Sequence, residues 1–410
     1  MSAVHPFRAV RPTLEMVKRV AAPPYDVVSS AEAAALASGN PYSFFHVSRS
    51  EIDLPPDLDP HSPAVYEKAR ENYERLRREV PLLQETRAVF FIYSLEMRGH
   101  RQTGLVATAA VDEYETNLIK KHEKTRRDKE DDRTQHILTL CSQTGPVFLT
   151  YRQMPVIDAL VNRMMLEQPL FDFVADDGIQ HTVWRVADFA DIAAFRTHFA
   201  MVPALYIADG HHRAASAARV RDLLRRANPG HTGLEEYNRF LAVLFPANQL
   251  RILPYNRLVK ELNGLSPAGF LDQCRAHFEI KADAGPVPAQ PGTFHVFLDG
   301  KWWSCAGAGG ISGLTPVDRL DVSLLQSLVL GPLLGIDDPR TSSRIEFVGG
   351  IRGTGVLEET VLAGKAAVAF SMYPTTVDQL MAIADTGGIM PPKSTWFEPK
   401  LRDALLIHDI

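Results

Sequence analysis

Cysteine is scarce: Cys141, Cys274 and Cys305 are the only three among 410 residues. They are odd in number, far apart and never in a CxxC pair, which excludes a disulfide framework, a cysteine-ligated zinc knuckle and dithiol redox chemistry. A reducing, cytoplasmic setting is the expectation. An excess of positive charge is also missing, since 44 Lys+Arg against 49 Asp+Glu leave a formal charge of -5. Charge therefore offers nucleic-acid phosphates no overall attraction. No apolar run is long enough for a bilayer. The longest, 328–336, is interrupted by Gly331 and Pro332, and the first twenty residues hold no continuous apolar core of the kind that directs secretion. Neither membrane insertion nor export is expected. The common nucleotide loops are absent too: Lys393-Ser394-Thr395 lacks the glycine spacing of a Walker A motif, and Gly349-Gly350-Ile351-Arg352-Gly353-Thr354-Gly355 lacks GxGxxG, so it reads as a turn.

What is present is an ordinary globular composition, 45% hydrophobic and 23% charged, in a chain long enough for two or three domains. The pattern divides into three segments. Residues 1–85 read as a proline-punctuated extension, with turns at Ala22-Pro23-Pro24-Tyr25-Asp26 and Asn40-Pro41-Tyr42, and a charged helix over 62–80. Residues 86–250 read as the core. It opens on strands over 88–97 and 104–114 joined by Arg98-Gly99-His100-Arg101, continues with a charge-dense helix from 124 to 143 and a strand over 146–151, and reaches the apolar run 204–208. Residues 251–410 read as a separate α+β domain, with helices over 267–278, 320–330 and 376–385, a hairpin over 293–305 turning at Asp299-Gly300, and a strand over 366–372.

Three constellations carry chemistry. In the first, the 204–208 strand runs into Asp209-Gly210-His211-His212-Arg213 and then an alanine-rich helix. A strand that turns into a helix at glycine aims free N–H groups and the positive end of the helix dipole at one point, which suits an anion. Arg213 adds donors matched to phosphate oxygens, and His211 and His212 can donate to phosphate. Asp209 is a candidate to hold magnesium or to orient His212; the alternative is that it simply caps the helix. Two histidines with an aspartate also raise zinc, but adjacent side chains on a helix point apart.

In the second, His122-Glu123-Lys124-Thr125 is followed by Lys129 and Arg133. Spacings of four put Thr125, Lys129 and Arg133 on one helical face, where two cations could meet phosphates with Glu123 at the entry as a base. The alternative is a solvated charged helix in which Glu130, Asp131 and Asp132 partner the cations locally. In the third, Lys393, Ser394 and Thr395 sit in the Gly- and Pro-fixed tail 387–400 and offer one cation and two hydroxyls. A tail that docks its aromatics on the second domain is the competing reading.

With His122-Glu123, the adjoining helix, the strand at Val147-Phe148 and Gly210-His211-His212-Arg213-Ala214-Ala215-Ser216, the core resembles the ParB/sulfiredoxin-like superfamily. Its DGHHR form is most similar to that superfamily's free-serine kinases. From Pro23-Pro24-Tyr25-Asp26-Val27 through HExT and DGHHR to Met390-Pro391-Pro392-Lys393, the chain also resembles domain-of-unknown-function family 1015. The resemblance implies a nucleotide-binding α+β core carrying an N-terminal extension and a second α+β domain. It implies ADP or ATP as cofactor with magnesium, and a small hydroxyl metabolite such as serine as partner. Glu123 would be the base, with Asp209 and His212 catalytic. His122, Thr125, Lys129, Arg133, Gly210, His211 and Arg213 would hold the nucleotide, with Lys393, Ser394 and Thr395 as weaker candidates toward the substrate. Where sulfiredoxins need a cysteine this chain has His211, so thiol chemistry is not implied, and no helix-turn-helix comes after the loop to suit DNA partitioning. The long separation of Glu123 from Asp209 implies an insertion around 152–200 that reshapes the pocket. A nucleotide-binding regulatory module without turnover is the alternative function, and a homodimer is left open.

Overall fold

The computed structural model describes residues 2–307 and 313–410. Its contacts fall into two compact units, one formed by the chain up to Leu250 together with Pro399–Ile410, the other by Arg251–Glu398. The first unit takes in the whole N-terminal segment, and the second starts at Arg251. The last residues differ from expectation: Pro399–Ile410 belongs to the first unit, because Leu405, Leu406 and Ile407 are buried there and Asp403 and Ile407 exchange backbone hydrogen bonds with Ala22 and Val10.

A nine-stranded mixed sheet organises the first unit. From one edge its order is Ile119–Lys120, Leu205–Asp209, Val147–Tyr151, Arg239–Pro246, His100–Ala110, Phe90–Met97, Gln180–Val186 and Phe171–Val174, and Val4–His5 also pairs with His100–Ala110. The central hairpin forms because Arg98 and Gly99 both take positive φ, 52° and 76°, the geometry of a tight two-residue turn whose twist matches its strands. Beyond Ala110 the chain enters a short helix, Val111–Glu115, instead of prolonging the strand to 114. The strands from the 152–200 segment extend the sheet at the edge opposite the Leu205–Asp209 strand, while its helices pack in the same apolar cluster as the DGHHR helix.

One face of the sheet is covered by an apolar cluster that includes Phe90, Ile92, Leu149, Ile157, Phe195 and Ile207 together with Ala214, Ala217 and Ala218 of the helix His211–Ala227. Alanines at these positions let that helix lie close to the strands. A second cluster joins the N-terminal segment to the rest: Val20, Phe44, Phe45 and Tyr73 pack with Leu140, Ala404 and Ile407. The extension thus holds the helices Leu14–Val20 and Ser30–Ala37 besides the expected one, Pro63–Glu79, and its core is shared with Leu140 and the chain's last residues.

The second unit is an antiparallel six-stranded sheet in the order Glu279–Ala282, Lys301–Ala306, Thr293–Leu298, Val368–Met372, Tyr255–Val259, Ile345–Gly349. The turn at Asp299-Gly300 again has both φ positive, 49° and 73°. The helix Gly355–Leu362 sets Leu357 against Leu258, Phe297 and Trp302. The expected 320–330 helix is Asp321–Leu325 continued by a wider turn of helix over Gln326–Leu330. Among the described residues no helix is long and apolar enough to cross a membrane.

Candidate functional site

The short strand Ile119–Lys120 pairs in parallel with Leu205–Asp209, with Ile119 opposite Leu205 and Lys120 opposite Tyr206. Parallel strands release their outgoing chains at the same end of a sheet, and the offset of 86 residues persists beyond the strands. The Arg126 backbone N–H donates to His212 Nε2 at 3.1 Å, and Ser216 Oγ donates to the Glu130 carbonyl at 3.2 Å. The HExT and DGHHR segments are thereby laid side by side, although more than eighty residues separate them.

Gly210, at φ 90°, is the N-cap of His211–Ala227, and a Cβ placed on it would meet Val147 Cα at an ordinary 3.4 Å. The left-handed backbone, not lack of space, is what glycine permits here. The helix starts directly after Gly210, so both histidines and Arg213 lie in its first turn, and its N-cap supplies no side-chain acceptor. Asp209 does not cap it: one carboxylate oxygen accepts from the Gly210 N–H at 2.9 Å and the other faces Lys400 Nζ at 2.8 Å. Burial pushes the Asp209 carboxyl up, but Lys400 and Arg213 outweigh it and hold it well below the usual carboxylate range. No sequence pattern singles out Lys400.

His122 and His211 are buried, 2% and 5% exposed, with ring centroids 4.4 Å apart and rings nearly perpendicular. Neither nitrogen of His122 nor Nε2 of His211 makes a well-formed hydrogen bond among the described residues. Burial pulls His122 down to about 4, opposed by the Asp209 charge and the Ile207 backbone, and burial together with His122 takes His211 well below its ordinary value. Both rings are therefore neutral at neutral pH. Glu123 Oε2 lies 3.9 Å from His211 Nδ1, and the Glu123 side chain is 41% exposed. His212 is lowered by burial as well, and its contact to Arg126 makes it a clamp on the HExT segment.

Arg213 is placed differently from a free phosphate fork. Its Nη1 donates to the Pro146 carbonyl at 3.0 Å and its Nη2 to both oxygens of Asp26, at 3.0 and 3.2 Å. Burial lowers the Arg213 guanidinium, but Asp26 leads a set of neighbours that raise it above its ordinary value. Arg133 stacks 4.0 Å from the Tyr25 ring and binds Asp132 at 2.8 Å. With Tyr25, Gly145, Arg213 and Asp403 it lines a cavity of about 40 Å³, room for a few waters at roughly 10–15 Å³ each and too little for a nucleotide. The helix starts at Arg127, so Thr125 precedes it and does not share a helical face with Lys129 and Arg133. Its hydroxyl donates to Glu130. Glu130 and Asp131 pair with Arg219 across to the neighbouring helix, while Lys129 is half-buried.

Lys393, Ser394 and Thr395 lie in the second unit. There the Lys393 carbonyl accepts from Arg257, Lys393 Nζ sits over the Tyr255 ring, and Ser394 bonds Pro391 and Thr375. Tyr25, Asp26 and Asp403 are site partners that sequence reasoning misses; only the Pro-Pro-Tyr-Asp turn marks the first two.

The first unit is thus a mixed α+β sheet that presents buried imidazoles and an accessible carboxylate at one end. The chain belongs to the DUF1015 family of proteins of unknown function, whose model matches residues 4–323. Among curated proteins no sequence match is found. Solved structures with some similarity include a conserved hypothetical protein from Pyrococcus furiosus, at 13% identity over 75% of this chain and 94% of that one, with a TM-score of 0.35. A free serine kinase in complex with AMP is similar at 12% identity, covering 74% and 92%, TM-score 0.36. C-terminally truncated SbnI from Staphylococcus aureus is similar at 12% identity, covering 73% and 85%, TM-score 0.38.

Proposed function

We propose that the protein is a nucleotide-dependent phosphotransferase of the ParB/sulfiredoxin-like type, moving a phosphoryl group from ADP or ATP to the hydroxyl of serine or a related small metabolite. The observation that carries this reading is the parallel pairing that lays HExT beside DGHHR, with Glu123 3.9 Å from His211. Phosphoryl transfer needs positioning and charge neutralisation more than covalent work. The first-turn N–H groups of the His211–Ala227 helix and the neutral rings of His122 and His211 are donors for phosphate oxygens. Glu123, its side chain 41% exposed beside His211, is the group that takes the acceptor's proton. Lys129 remains a candidate for the nucleotide's phosphates.

Asp209 serves in this reading as the anchor of Lys400, because both its oxygens already meet protein donors; it is poorly disposed to hold magnesium. Arg213 and Arg133 serve as supports of the pocket wall. The test is conversion of serine to phosphoserine by the full chain with ADP or ATP and magnesium, read by mass spectrometry. It is paired with a thermal-shift screen, in which a ligand at about a hundred times its Kd adds roughly 2.7 kcal/mol. Product formation supports the reading. No product with any small hydroxyl acceptor and no stabilisation by any nucleotide would sink it.

A further inference from the structure

We propose that His122, Glu123 and His211 form a binding site for a divalent transition-metal ion of the zinc class. The three side chains offer one ligand atom each within 4.8 Å of one another. Ligand atoms on a tetrahedral zinc ion stand about 3.4 Å apart, given bonds of roughly 2.0–2.2 Å. The 3.9 Å between Glu123 Oε2 and His211 Nδ1 is about half an ångström beyond that, and no separation in the group exceeds 4.8 Å, so side-chain rotation has to close about 1.4 Å at most.

The second observation is independent of spacing. Nε2 of His211 and the nitrogens of His122 are buried and make no well-formed hydrogen bond among the described residues; the Ile207 backbone lies near enough to raise the proton affinity of His122 and engages at most one of its two nitrogens. Burying such groups unpaired is costly, and a metal ion is a partner that satisfies an imidazole lone pair. Nitrogen ligands with one carboxylate suit zinc, cobalt, nickel or iron(II) rather than magnesium or calcium, which prefer oxygen. The two histidines close the inner side of the site, whereas Glu123 is 41% exposed, so the ion would be reached from solvent. Three protein ligands leave it a position for water or a ligand oxygen, the arrangement of reactive rather than purely structural zinc. The adjacent histidines His211 and His212 do not form this pair. One imidazole comes from each segment, joined by the strand register.

The proposal does not rest on phosphotransfer, because metal content is read without activity. The full chain is stripped with a chelator, dialysed against zinc or cobalt(II), and its metal measured by mass spectrometry alongside the visible absorption of the cobalt form. One ion per chain with cobalt ligand-field bands is expected. Glu123→Gln and His122→Ala should each weaken binding on the order of a hundredfold or more, at least what loss of a residue supporting a metal ligand costs. His277→Ala, in the second unit, should leave it unchanged. Circular dichroism checks that His122→Ala folds; if it does not, the exposed Glu123→Gln variant decides. No bound ion above buffer in the wild-type chain, or binding unaltered by Glu123→Gln, overturns the proposal. Stoichiometric metal without phosphotransfer upholds it while removing the kinase reading, and phosphotransfer by a chain that binds no such ion does the reverse.

Discussion

Nη2 of Arg213 lies 3.0 Å from Oδ1 of Asp26, a pairing across 187 residues that ties the N-terminal segment to the start of the DGHHR helix. The arginine is 9% exposed and the aspartate 36%. Removing one partner of a buried pair strands the other, and Asp26 retains some water to soften that cost. Arg213→Ala should therefore lower stability by about 2–4 kcal/mol, seen as a shift in the urea midpoint. Arg213→Lys should recover little, because a single ammonium cannot serve Pro146 and Asp26 together. A variant of unchanged stability that lost only nucleotide affinity would return Arg213 to the role of ligand.

Lys400 and Asp209 form a second tie, 2.8 Å long, between the C-terminal segment and the site. Lys400→Met leaves the half-buried carboxylate without its cation and should cost about 1.5–3 kcal/mol at neutral pH, the range for a hydrogen bond to a charged group. Because Asp209 is held below its ordinary value, the wild-type contribution is complete above that value and fades only in stronger acid. In the variant the penalty should instead shrink as acid protonates Asp209. Equal losses at all pH values would show that packing, not charge, links the two residues.

These ties explain how much can be read from the residues alone. The strand at 204–208, its turn at Gly210 and both two-residue hairpin turns are local: apolar runs and glycines near their own neighbours specify them. The DGHHR loop is legible for the same reason. Asp26, Lys400 and Asp403 are not, since a lone charge in a proline-rich turn or a tail shows no partner until the fold brings one across some two hundred residues. Arg213 shows the same limit, for its fork fits a phosphate and an aspartate equally well, and the fold brings Asp26 to it. The spacing of four from Thr125 to Lys129 suits one helical face, yet the helix starts only at Arg127.

Asp403, 2% exposed, has Oδ1 without a partner and faces Arg213, Asp26 and Arg133. Burial pushes its carboxyl up to about 7. An acid raised on folding binds its proton more tightly in the native state, so its contribution to stability is greatest near pH 4 and is lost as pH rises through 7. Asp403→Asn stays neutral throughout. Its stability relative to wild type should rise between about pH 4 and pH 7 and level off above, measured by urea denaturation across that range. A difference that does not change with pH would mean that Asp403 is ionised in the fold and held by the two arginines.

Glu123 decides between proton removal and mere architecture at the site. Its carboxylate is 41% exposed beside His211, so replacing it disturbs no buried core, and Glu123→Gln keeps its size. If Glu123 accepts the proton of the substrate hydroxyl, this change should lower turnover by roughly a hundredfold or more. Nucleotide affinity should change little, because the helix start and the imidazoles remain. The same variant is expected to lose the metal proposed at His122, Glu123 and His211, so turnover is best measured in excess magnesium both with a zinc-selective chelator and with added zinc. A loss of turnover that is the same in both conditions assigns the proton to Glu123 itself. Full activity in Glu123→Gln would move the base elsewhere, to a group that still faces the acceptor when Lys400 holds Asp209.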